Sequence, residues 1–347
     1  MNDERFIKRC LQLAANGMGR VAPNPMVGGV LVHDGMIIGE GFHQQFGHAH
    51  AEVNAIADAE KRNESIPENT VLYVNLEPCN HHGKTPPCTE LIISKGIKKV
   101  VVGTMDPHDK VKGIGIERLR QAGIEVTVNV CKMDCHELNK TFFTYHVKQR
   151  PYIILKWAQS IDGYISSGNI DFAKKRDIIS NDYSRKLTHK WRSESMAIMV
   201  GTNTAKHDNP QLNVRDWSGD NPIRITLDRG LILPNDLHLF DGTVKTIIFT
   251  EKEMPSSNNL EYIKIDFNKN IIIQVLDELY KHNIQSLFVE GGASLINSFM
   301  DAGYWDEARI FIGNKTLYDG IKAPEISGTC TSKDIIEDDI LLVYKNH

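Results

Sequence analysis

Hydrophobic and polar positions in the first half of the chain follow two periods, two residues for strands and about 3.6 residues for helices. The run 27–41 surrounds the turn dipeptide Asp34-Gly35 and therefore predicts a β-hairpin. Helical spacing predicts helices at 4–16, 49–61, 88–95 and 116–121. Apolar runs predict core strands at 71–76 and 98–104, and the segment 124–130 predicts a further strand. Asp134 and Glu137 form a capping pattern for one further helix that runs to about Lys148.

A boundary between two domains is predicted at Gln149-Arg150-Pro151, where that last helix ends and a new apolar strand begins. The second half repeats the strand–helix alternation, which favours a second α/β domain. Strands are expected at 152–158, 196–201, 222–228, 245–250, 285–290 and 308–313, and helices near 182–194, 271–282 and 292–301. Because 347 residues are also many for a single core, we expect domains at 1–148 and 149–347.

Composition narrows the classes of function. The formal net charge is -4 and aromatic residues make up 7%, so no global basic field attracts nucleic acid. No apolar stretch approaches the roughly 20 residues of a membrane span. The first residues lack a secretory pattern, so we expect a cytoplasmic protein with neither nucleic acid nor membrane as a partner. Without a signal, six cysteines favour metal binding or free thiols over disulfides. Free thiols are favoured at Cys131 and Cys135 as well, and a redox pair is the alternative.

His50, Glu52, Cys79 and Cys88 form the candidate catalytic centre. Two thiolates and an imidazole suit Zn²⁺, and three protein ligands leave a fourth position for water, as in catalytic zinc sites. Glu52 follows His50 by two residues at a predicted helix start, where it could carry protons between water and a pyrimidine-type ring. The order H-x-E and then P-C fits zinc nucleobase deaminases, although residues 80–87 separate the cysteines instead of two residues.

Other interpretations of this centre remain open. The same residues could hold a structural zinc ion, or the two cysteines could be unrelated thiols. Alternative ligands are His43, His48, His81 and His82. Each of these histidines is expected to lie in a loop or to contact a substrate.

A longer set of motifs resembles the bifunctional deaminase–reductase family of riboflavin biosynthesis. In chain order they are APNPMVGGVLV, PCNHHGKTPPC, VVGTMDPHDKVKGIG, KWAQSIDGYI, MVGTNTAKHDNPQLNVR and FVEGGASLINSFM. The resemblance covers nearly the whole chain. It implies an α/β protein with a cytidine-deaminase-like three-layer α/β/α N-terminal domain and a dihydrofolate-reductase-like α/β C-terminal domain. The implied reactions are zinc-dependent deamination of 2,5-diamino-6-(5-phosphoribosylamino)pyrimidin-4(3H)-one and NADPH-dependent reduction of its ribosyl group to ribityl.

The resemblance also implies roles for individual residues. One zinc ion per chain would be held by His50, Cys79 and Cys88, with Glu52 as the proton carrier. Possible contacts with the phosphorylated pyrimidine substrate in the deaminase half are Asn24, His43 and Lys84. Residues implied to approach NADPH are Ala158, Ile178, Thr204, Asp208, Gly292, Ala293, Ser294, Leu295, Ile296, Asn297 and Ser298. Those implied to approach the substrate in the reductase half are Arg176, Arg192, Leu212, Arg215 and Glu290.

Physical arguments support some of the reductase assignments. A pyrophosphate requires backbone N–H groups at a helix start, and the glycine pair 291–292 stands between a predicted strand and helix. Arg192 and Arg215 suit the 5′-phosphate of the substrate because a guanidinium binds phosphate in a two-pronged way. Arg229 could meet the 2′-phosphate that distinguishes NADPH from NADH. Ile178 stands where the family usually has tryptophan, which leaves the strength of cofactor binding open.

Two further hypotheses compete with the bifunctional enzyme. A nucleic-acid editing protein of the deaminase superfamily, with a non-catalytic second domain, would explain the zinc motif but not the second half of the chain. A binding module with a structural zinc ion would need none of the proton chemistry of Glu52. A homo-oligomer is an expectation from the family alone.

Overall fold

The computed structural model of the protein describes residues 3–62, 65–80, 86–108, 111–167, 178–257 and 259–346. The chain divides into two compact units, Met1–Gln149 and Arg150–His347. Four residues with predicted roles lie outside the described ranges: His81, His82, Lys84 and Arg176.

The first unit contains a five-stranded sheet within the described ranges. Its strands are β1 (Gly28–His33), β2 (Met36–Phe42), β3 (Val71–Val74), β4 (Lys99–Val102) and β5 (Glu125–Thr127). Its helices are α1 (Asp3–Ala14), α2 (Ala51–Arg62), α3 (Cys88–Ser94), α4 (Ile114–Gln121), α5 (Lys132–Leu138) and α6 (Lys140–Lys148). The strand order is β2-β1-β3-β4-β5, with β1 antiparallel to both neighbours and β3, β4 and β5 parallel.

Successive side chains of the strands point to opposite faces of the sheet, and each face has its own core. Val30 and Tyr73 pack with residues of α1 and α5. Leu31 and Leu72 pack instead with residues of α2, α3 and α4. Two helical layers therefore enclose the sheet, and the three-layer α/β/α architecture is confirmed.

The predicted hairpin is present, and it packs against α2. Strands β1 and β2 meet at Asp34-Gly35, where both residues have positive φ, 48° and 77°. Helix α2 packs on β2 at Gly39, where a Cβ atom would lie 2.5 Å from the carbonyl oxygen of Ala55. The close approach of helix and strand places the start of α2, with His50 and Glu52, above the sheet edge.

The predicted single helix from Asp134 to Lys148 is wrong. The structure has two helices, α5 and α6, with a break at Asn139. Asn139 is 1% exposed, and its side chain holds both backbone polar groups of Met26: Oδ1 accepts the N–H at 2.8 Å, and Nδ2 donates to the carbonyl at 2.9 Å. A distant loop, rather than the local capping pattern, therefore sets the course of this segment.

The second unit is built on a nine-stranded sheet. The strands of the unit are β6 (Tyr152–Ser160), β7 (Tyr164–Ser166), β8 (Ala197–Val200), β9 (Ile223–Leu227), β10 (Thr246–Thr250), β11 (Leu260–Lys264), β12 (Ser286–Glu290), β13 (Glu307–Gly313), β14 (Ile321–Lys322), β15 (Thr329–Ile336) and β16 (Asp339–Lys345). Its helices are α7 (Asp182–Ser193), α8 (Thr202–Asp208), α9 (Ile271–Lys281) and α10 (Ala293–Asp301). The sheet order is β11-β10-β9-β8-β12-β6-β13-β16-β15, while β7 and β14 pair separately.

The nine-stranded sheet is parallel from β11 to β13, so the carboxyl ends of these strands lie along one edge. Ligands of open α/β sheets bind outside such an edge. Helices α9 and α10 pack on one face, and α7 and α8 pack on the other. Strands β15 and β16 add antiparallel pairs at the end of the sheet, in a region where the pattern of residues predicted no element.

Candidate functional site

Three side chains from separate segments of the first unit converge on one point. His50 immediately precedes α2, Cys79 follows β3, and Cys88 is the first residue of α3. Nδ1 of His50 lies 3.5 Å from Sγ of Cys79 and 3.4 Å from Sγ of Cys88. Their ligand atoms all lie within 4.8 Å of one another, the arrangement of a metal site among the described residues.

The spacing and chemistry of these donors fit zinc. In a tetrahedral site, a Zn–N bond of about 2.0 Å and a Zn–S bond of about 2.3 Å place nitrogen and sulfur about 3.5 Å apart. The two N···S distances of 3.5 and 3.4 Å agree with this geometry. Because His50, Cys79 and Cys88 supply three donors, a tetrahedral ion held by them would have one position for water or substrate.

Glu52 lies beside these donors in the first turn of α2 and is 3% exposed. Burial raises its pKa to about 7, because the charged carboxylate loses hydration, and the charge of Cys79 acts in the same direction. A carboxyl group with this pKa can both take up and release a proton near neutral pH, as a general acid–base requires.

The two cysteines differ in their hydrogen bonds. A hydrogen bond from the Cys88 thiol and contact with His50 lower the pKa of Cys79 to about 4. The backbone N–H of Cys88 also donates to Sγ of Cys79 at 3.4 Å. The pKa of Cys88 is raised in turn because its thiol donates to Cys79 and is buried. The site therefore favours a thiolate at Cys79, the form that binds metal.

Asn24 and His43, two predicted substrate contacts, meet next to His50. Nδ1 of His43 lies 3.0 Å from the carbonyl oxygen of Ala49, and Nε2 lies 3.1 Å from Nδ2 of Asn24. Since a carbonyl only accepts, Nδ1 carries the proton and Nε2 accepts from Asn24. Burial lowers the pKa of His43, which keeps this neutral form, and its ring centroid lies 5.4 Å from that of His50.

The second unit brings Thr204 and the glycine pair together at the carboxyl edge of its sheet. Gly292 precedes α10 with φ of 80°, and a Cβ atom on it would lie 3.0 Å from Oγ1 of Thr204. The absence of a side chain therefore lets the Thr204 hydroxyl lie close to the backbone at the start of α10. Exposed N–H groups at a helix start can bind a pyrophosphate.

The other predicted cofactor residues occupy different environments. Leu295 and Ile296 are buried in the core, so only their backbone could approach a cofactor. Ile178 is 45% exposed, and its carbonyl oxygen accepts a hydrogen bond from Nζ of Lys315. Half-buried are Ala158, Ala293 and Asn297, and exposed are Asp208, Ser294 and Ser298.

Arg192 and Glu290 form a largely buried ion pair. Nε of Arg192 donates to Oε1 of Glu290 at 3.0 Å, and Nη2 donates to Oε2 at 2.6 Å. Nη1 donates to the carbonyl oxygen of Asn213 at 3.0 Å. The fork that was predicted to bind phosphate therefore has protein partners in the structure, and it joins α7 to the end of β12.

Arg215 is more open than Arg192 and lies in a loop held by α7. Its side chain is 52% exposed, whereas that of Arg192 is 11% exposed. The backbone N–H of Arg215 donates to Nδ1 of His189 at 3.3 Å, and Nε2 of His189 lies 3.3 Å from Asp216. Leu212, in the same loop, is buried with φ of 50°. Of the two predicted phosphate partners, Arg215 has the more accessible guanidinium.

Arg229 also has a protein partner. Its Nε donates to Glu251 at 2.8 Å, and its guanidinium carbon lies 5.8 Å from the ring centroid of Phe267. The side chain is 56% exposed at the end of β9. A 2′-phosphate at this place would share Arg229 with Glu251.

Comparison with known proteins decides the family. The zinc-binding region of cytidine and deoxycytidylate deaminases matches residues 1–104, and the RibD C-terminal domain matches residues 151–323. The riboflavin biosynthesis protein RibD of Aquifex aeolicus is 40% identical over 332 residues, which are 93% of this chain and 90% of that protein. The chain belongs to the RibD family. RibD of Escherichia coli is 32% identical over 365 residues and is covered to 91%.

Solved structures agree with this assignment. A deaminase/reductase from Thermotoga maritima matches with a TM-score of 0.89 and 37% identity over 99% of both chains. RibD of Acinetobacter baumannii matches with a TM-score of 0.88 and 29% identity over 100% of this chain and 99% of that one. The RibD-family chain is thus a bifunctional enzyme of riboflavin biosynthesis with a deaminase and a reductase domain, and the predicted fold class is confirmed. The editing hypothesis, which leaves the second domain without catalysis, is not favoured.

Some residues that position the two predicted sites cannot be recognised from the sequence alone. Asn75, like Asn139, binds the Met26 loop: Oδ1 of Asn75 accepts the N–H of Gly28 at 2.8 Å, and Nδ2 donates to the Met26 carbonyl at 3.0 Å. His189 was not singled out, because a histidine in an amphipathic helix resembles an ordinary surface residue. A polar residue that is buried by a distant segment can be identified only once that segment is placed.

Within the described ranges, no helix is both long enough and apolar enough to span a membrane.

Proposed function

We propose that this chain catalyses two consecutive reactions, with the first in domain 1–148 and the second in domain 149–347. The first is hydrolysis of an amino group of 2,5-diamino-6-(5-phosphoribosylamino)pyrimidin-4(3H)-one, and the second is reduction of the ribosyl group to ribityl by NADPH. The observation that carries the proposal is the convergence of His50, Cys79 and Cys88 beside the buried Glu52. The name of the Thermotoga maritima protein, which states both activities, supports the same pair of reactions.

In the deaminase half, His50, Cys79 and Cys88 would hold one zinc ion. When bound, zinc supplies a Lewis acid that makes water a nucleophile near neutral pH. Glu52 would accept the proton of that water on its carboxylate, pass it to the ring nitrogen and assist the departure of ammonia. The reaction replaces one amino group by an oxygen atom and consumes one water molecule. The pKa of Glu52, raised to about 7, suits both directions of this transfer.

Substrate in this half would lie against Asn24 and His43. His43 donates from Nδ1 to Ala49, so its tautomer is fixed, and Nε2 holds the amide of Asn24. The amide oxygen of Asn24 can then accept from an amino or N–H group of the pyrimidine. This pair would orient the ring, while Glu52 moves the protons.

In the reductase half, NADPH supplies the hydride, and the protein supplies binding and orientation. The backbone at residues 292–295 would bind the pyrophosphate, with Thr204 beside it. Arg215 would bind the phosphate of the substrate, and Leu212 shapes the same loop. Arg192 would act on the substrate through Glu290, because its guanidinium holds that carboxylate. Intracellular use of NADPH and of a phosphorylated pyrimidine supports a cytoplasmic location, and pairing of identical chains stays a prediction.

The decisive experiment is incubation of the purified chain with the diaminopyrimidine phosphate, with and without NADPH, followed by mass analysis of the products. Without NADPH, one amino group should be replaced by oxygen and ammonia released. With NADPH, the product should gain two further hydrogen atoms while NADPH is oxidised. A chelator should stop the first step only. Absence of ammonia release from the zinc-loaded chain would refute the deaminase, and deamination of cytosine in a single-stranded oligonucleotide would favour the editing hypothesis instead.

A further inference from the structure

Glu77 lies two residues before Cys79 and is neither one of the three converging metal donors nor the proton carrier. The carboxylate is 4% exposed. It accepts four backbone N–H groups: Gly115 at 2.9 Å and Ile116 at 3.2 Å on Oε1, and Gly113 at 2.9 Å and Asp106 at 3.2 Å on Oε2. The donors all belong to the motif VVGTMDPHDKVKGIG and the residue that follows it.

Three of the four bonds have a clear electrostatic reason. Gly113, Gly115 and Ile116 are at the start of α4, where backbone N–H groups have no partner within the helix. A carboxylate there also meets the positive end of the helix dipole. Glu77 therefore ties the segment after β3 to α4 and to the loop after β4.

A second contact joins the same two segments. A Cβ atom on Gly115 would lie 2.1 Å from the carbonyl oxygen of Pro78, so the first turn of α4 packs directly on the peptide that precedes Cys79. The backbone N–H of Glu77 donates to the carbonyl oxygen of Thr104 at 2.9 Å. Residues 77 and 78 are thus held on several sides before the chain reaches the ligand.

The other side of Cys79 is held by α3. Its carbonyl oxygen accepts the N–H of Thr89 at 3.2 Å, and its Sγ accepts the N–H of Cys88 at 3.4 Å. Cys79 is consequently fixed between two helix starts, with α3 on one side and α4, through Glu77 and Pro78, on the other. The positions of its Sγ relative to His50 and Cys88 depend on both.

We propose that Glu77 is a positioning residue for the zinc site, and that the N–H groups at the start of α4 hold residues 77–79 in the position in which Cys79 binds the metal. The proposal rests on the zinc-dependent deaminase proposed above. A site with three protein ligands depends strongly on each of them. Loss of the hydrogen bonds of Glu77 should therefore speed the release of zinc, even in a variant that still folds.

The first test is Glu77→Gln in the full-length zinc-loaded chain. The amide places an NH₂ donor where one carboxylate oxygen now accepts two N–H groups. We expect zinc release to a chelator to become about 10-fold faster or more, the size of effect that supporting residues have on metal affinity. Deamination should fall at limiting zinc and recover in excess zinc. The absorption of the Co²⁺-substituted protein should change, since it reports ligand geometry at the site.

Gly115→Ala disturbs the contact between α4 and the segment before Cys79 from the side of α4. Alanine favours a helix more than glycine does, so local propensity predicts a more stable α4. The added methyl group must displace Pro78, so our proposal predicts faster zinc release despite that gain. The matched control is Glu90→Gln, which breaks an exposed ion pair between α3 and Arg118 of α4 with an N···O distance of 2.7 Å. The control should release zinc at the wild-type rate.

The outcomes separate this inference from the proposed function. If wild-type chain holds zinc and both variants release it at the wild-type rate, the inference is wrong while the deaminase stands. Lower thermal stability with unchanged zinc release and an unchanged Co²⁺ spectrum would also overturn it, because Glu77 would then be structural only. If Glu77→Gln does not fold, Gly115→Ala decides the question. A wild-type chain that binds no zinc would remove the proposed deaminase, and this inference with it.

Discussion

The proposed deaminase centre and the predicted reductase site are organised in different ways. In the first unit, three ligand atoms lie within 4.8 Å of one another, and Glu52 beside them is almost fully buried. In the second unit, the predicted residues are spread along the carboxyl ends of several parallel strands, and they range from buried Leu295 to half-exposed Arg215. Residues 168–177, which contain Arg176, lie outside the described ranges.

The contrast reflects what each chemistry demands. A metal site needs a few donor atoms at fixed separations, and short motifs at helix starts can specify them. A dinucleotide cleft uses many contacts of small individual effect, much of them from backbone. Single substitutions should therefore abolish the first reaction but mostly weaken the second, and the following predictions test this difference.

The largest effect is expected for Glu52→Gln. The amide cannot carry the proton between water and the ring, so deamination should fall by about 100- to 10,000-fold. Zinc content should stay at the wild-type level, because Glu52 is not among the three converging donors. Reduction of the deaminated substrate should be unchanged. Ammonia release, metal analysis and NADPH absorbance measure the three quantities, and a variant that keeps zinc together with full ammonia release would refute the proposed mechanism.

The sequence predicts those parts of the deaminase centre that depend only on neighbouring residues. The hairpin at Asp34-Gly35 and the helix starts beside His50 and Cys88 depend on neighbouring residues, and the structure has them. The hydrogen-bond partners of Glu77 are 29 to 39 residues away. The break at Asn139 depends on Met26, 113 residues away. Neither could be predicted, because the partners are brought together only by the fold.

In the second unit too, contacts between residues far apart in the sequence could not be predicted. Arg192 was predicted as a phosphate partner from its charge, but Glu290, 98 residues away, occupies its guanidinium in the structure. Strand β15 was not predicted because it lies at the edge of the sheet and has mostly exposed polar residues. Residue types alone do not reveal that such a segment pairs with a neighbour.

The second prediction concerns Arg192→Ala. Removing one partner of a buried ion pair leaves Glu290 charged without compensation, so the free energy of unfolding of the second unit should fall by about 3–5 kcal/mol. All four tryptophans of the chain lie in this unit, so their fluorescence during urea unfolding reports it selectively. The double substitution of Arg192 and Glu290 to leucine should recover much of the loss.

The opposite result would make the predicted reductase site resemble the deaminase centre, in which single residues have large effects. If Arg192→Ala leaves unfolding unchanged and raises only the KM of the phosphorylated substrate, the guanidinium exchanges Glu290 for phosphate on binding. Arg192 would then be a direct contact of large effect. Arg215→Ala is the comparison variant, because its more open guanidinium should change KM without a large change in stability.

The smallest effect is expected for His189→Leu. Its Nδ1 accepts the backbone N–H of Arg215, and one neutral hydrogen bond corresponds to roughly a 2- to 10-fold change in KM for reduction. The kcat should change less, since His189 acts only through the loop. Asparagine at this position offers an acceptor near Nδ1, so His189→Asn should recover part of the loss. An unchanged KM in both variants would show that the loop needs no support from α7.

The pH dependence of unfolding tests, without any substrate, whether His189 is buried in its neutral form. Burial lowers the pKa of His189 to about 4, below its ordinary value near 6.5, so the unfolded chain binds the proton more readily. The contribution of His189 to stability is therefore complete above about pH 6.5 and is lost as the pH falls toward 4. His282 is the control: although burial opposes it, the hydrogen bond with Glu261 raises its pKa, so its contribution is complete at low pH and is lost as the pH rises. The free energy of unfolding should be measured by tryptophan fluorescence in urea from pH 4 to pH 8. Its decrease at acid pH should be smaller in His189→Leu but not in His282→Asn. An equal decrease in the two variants would contradict the stabilising role of neutral His189.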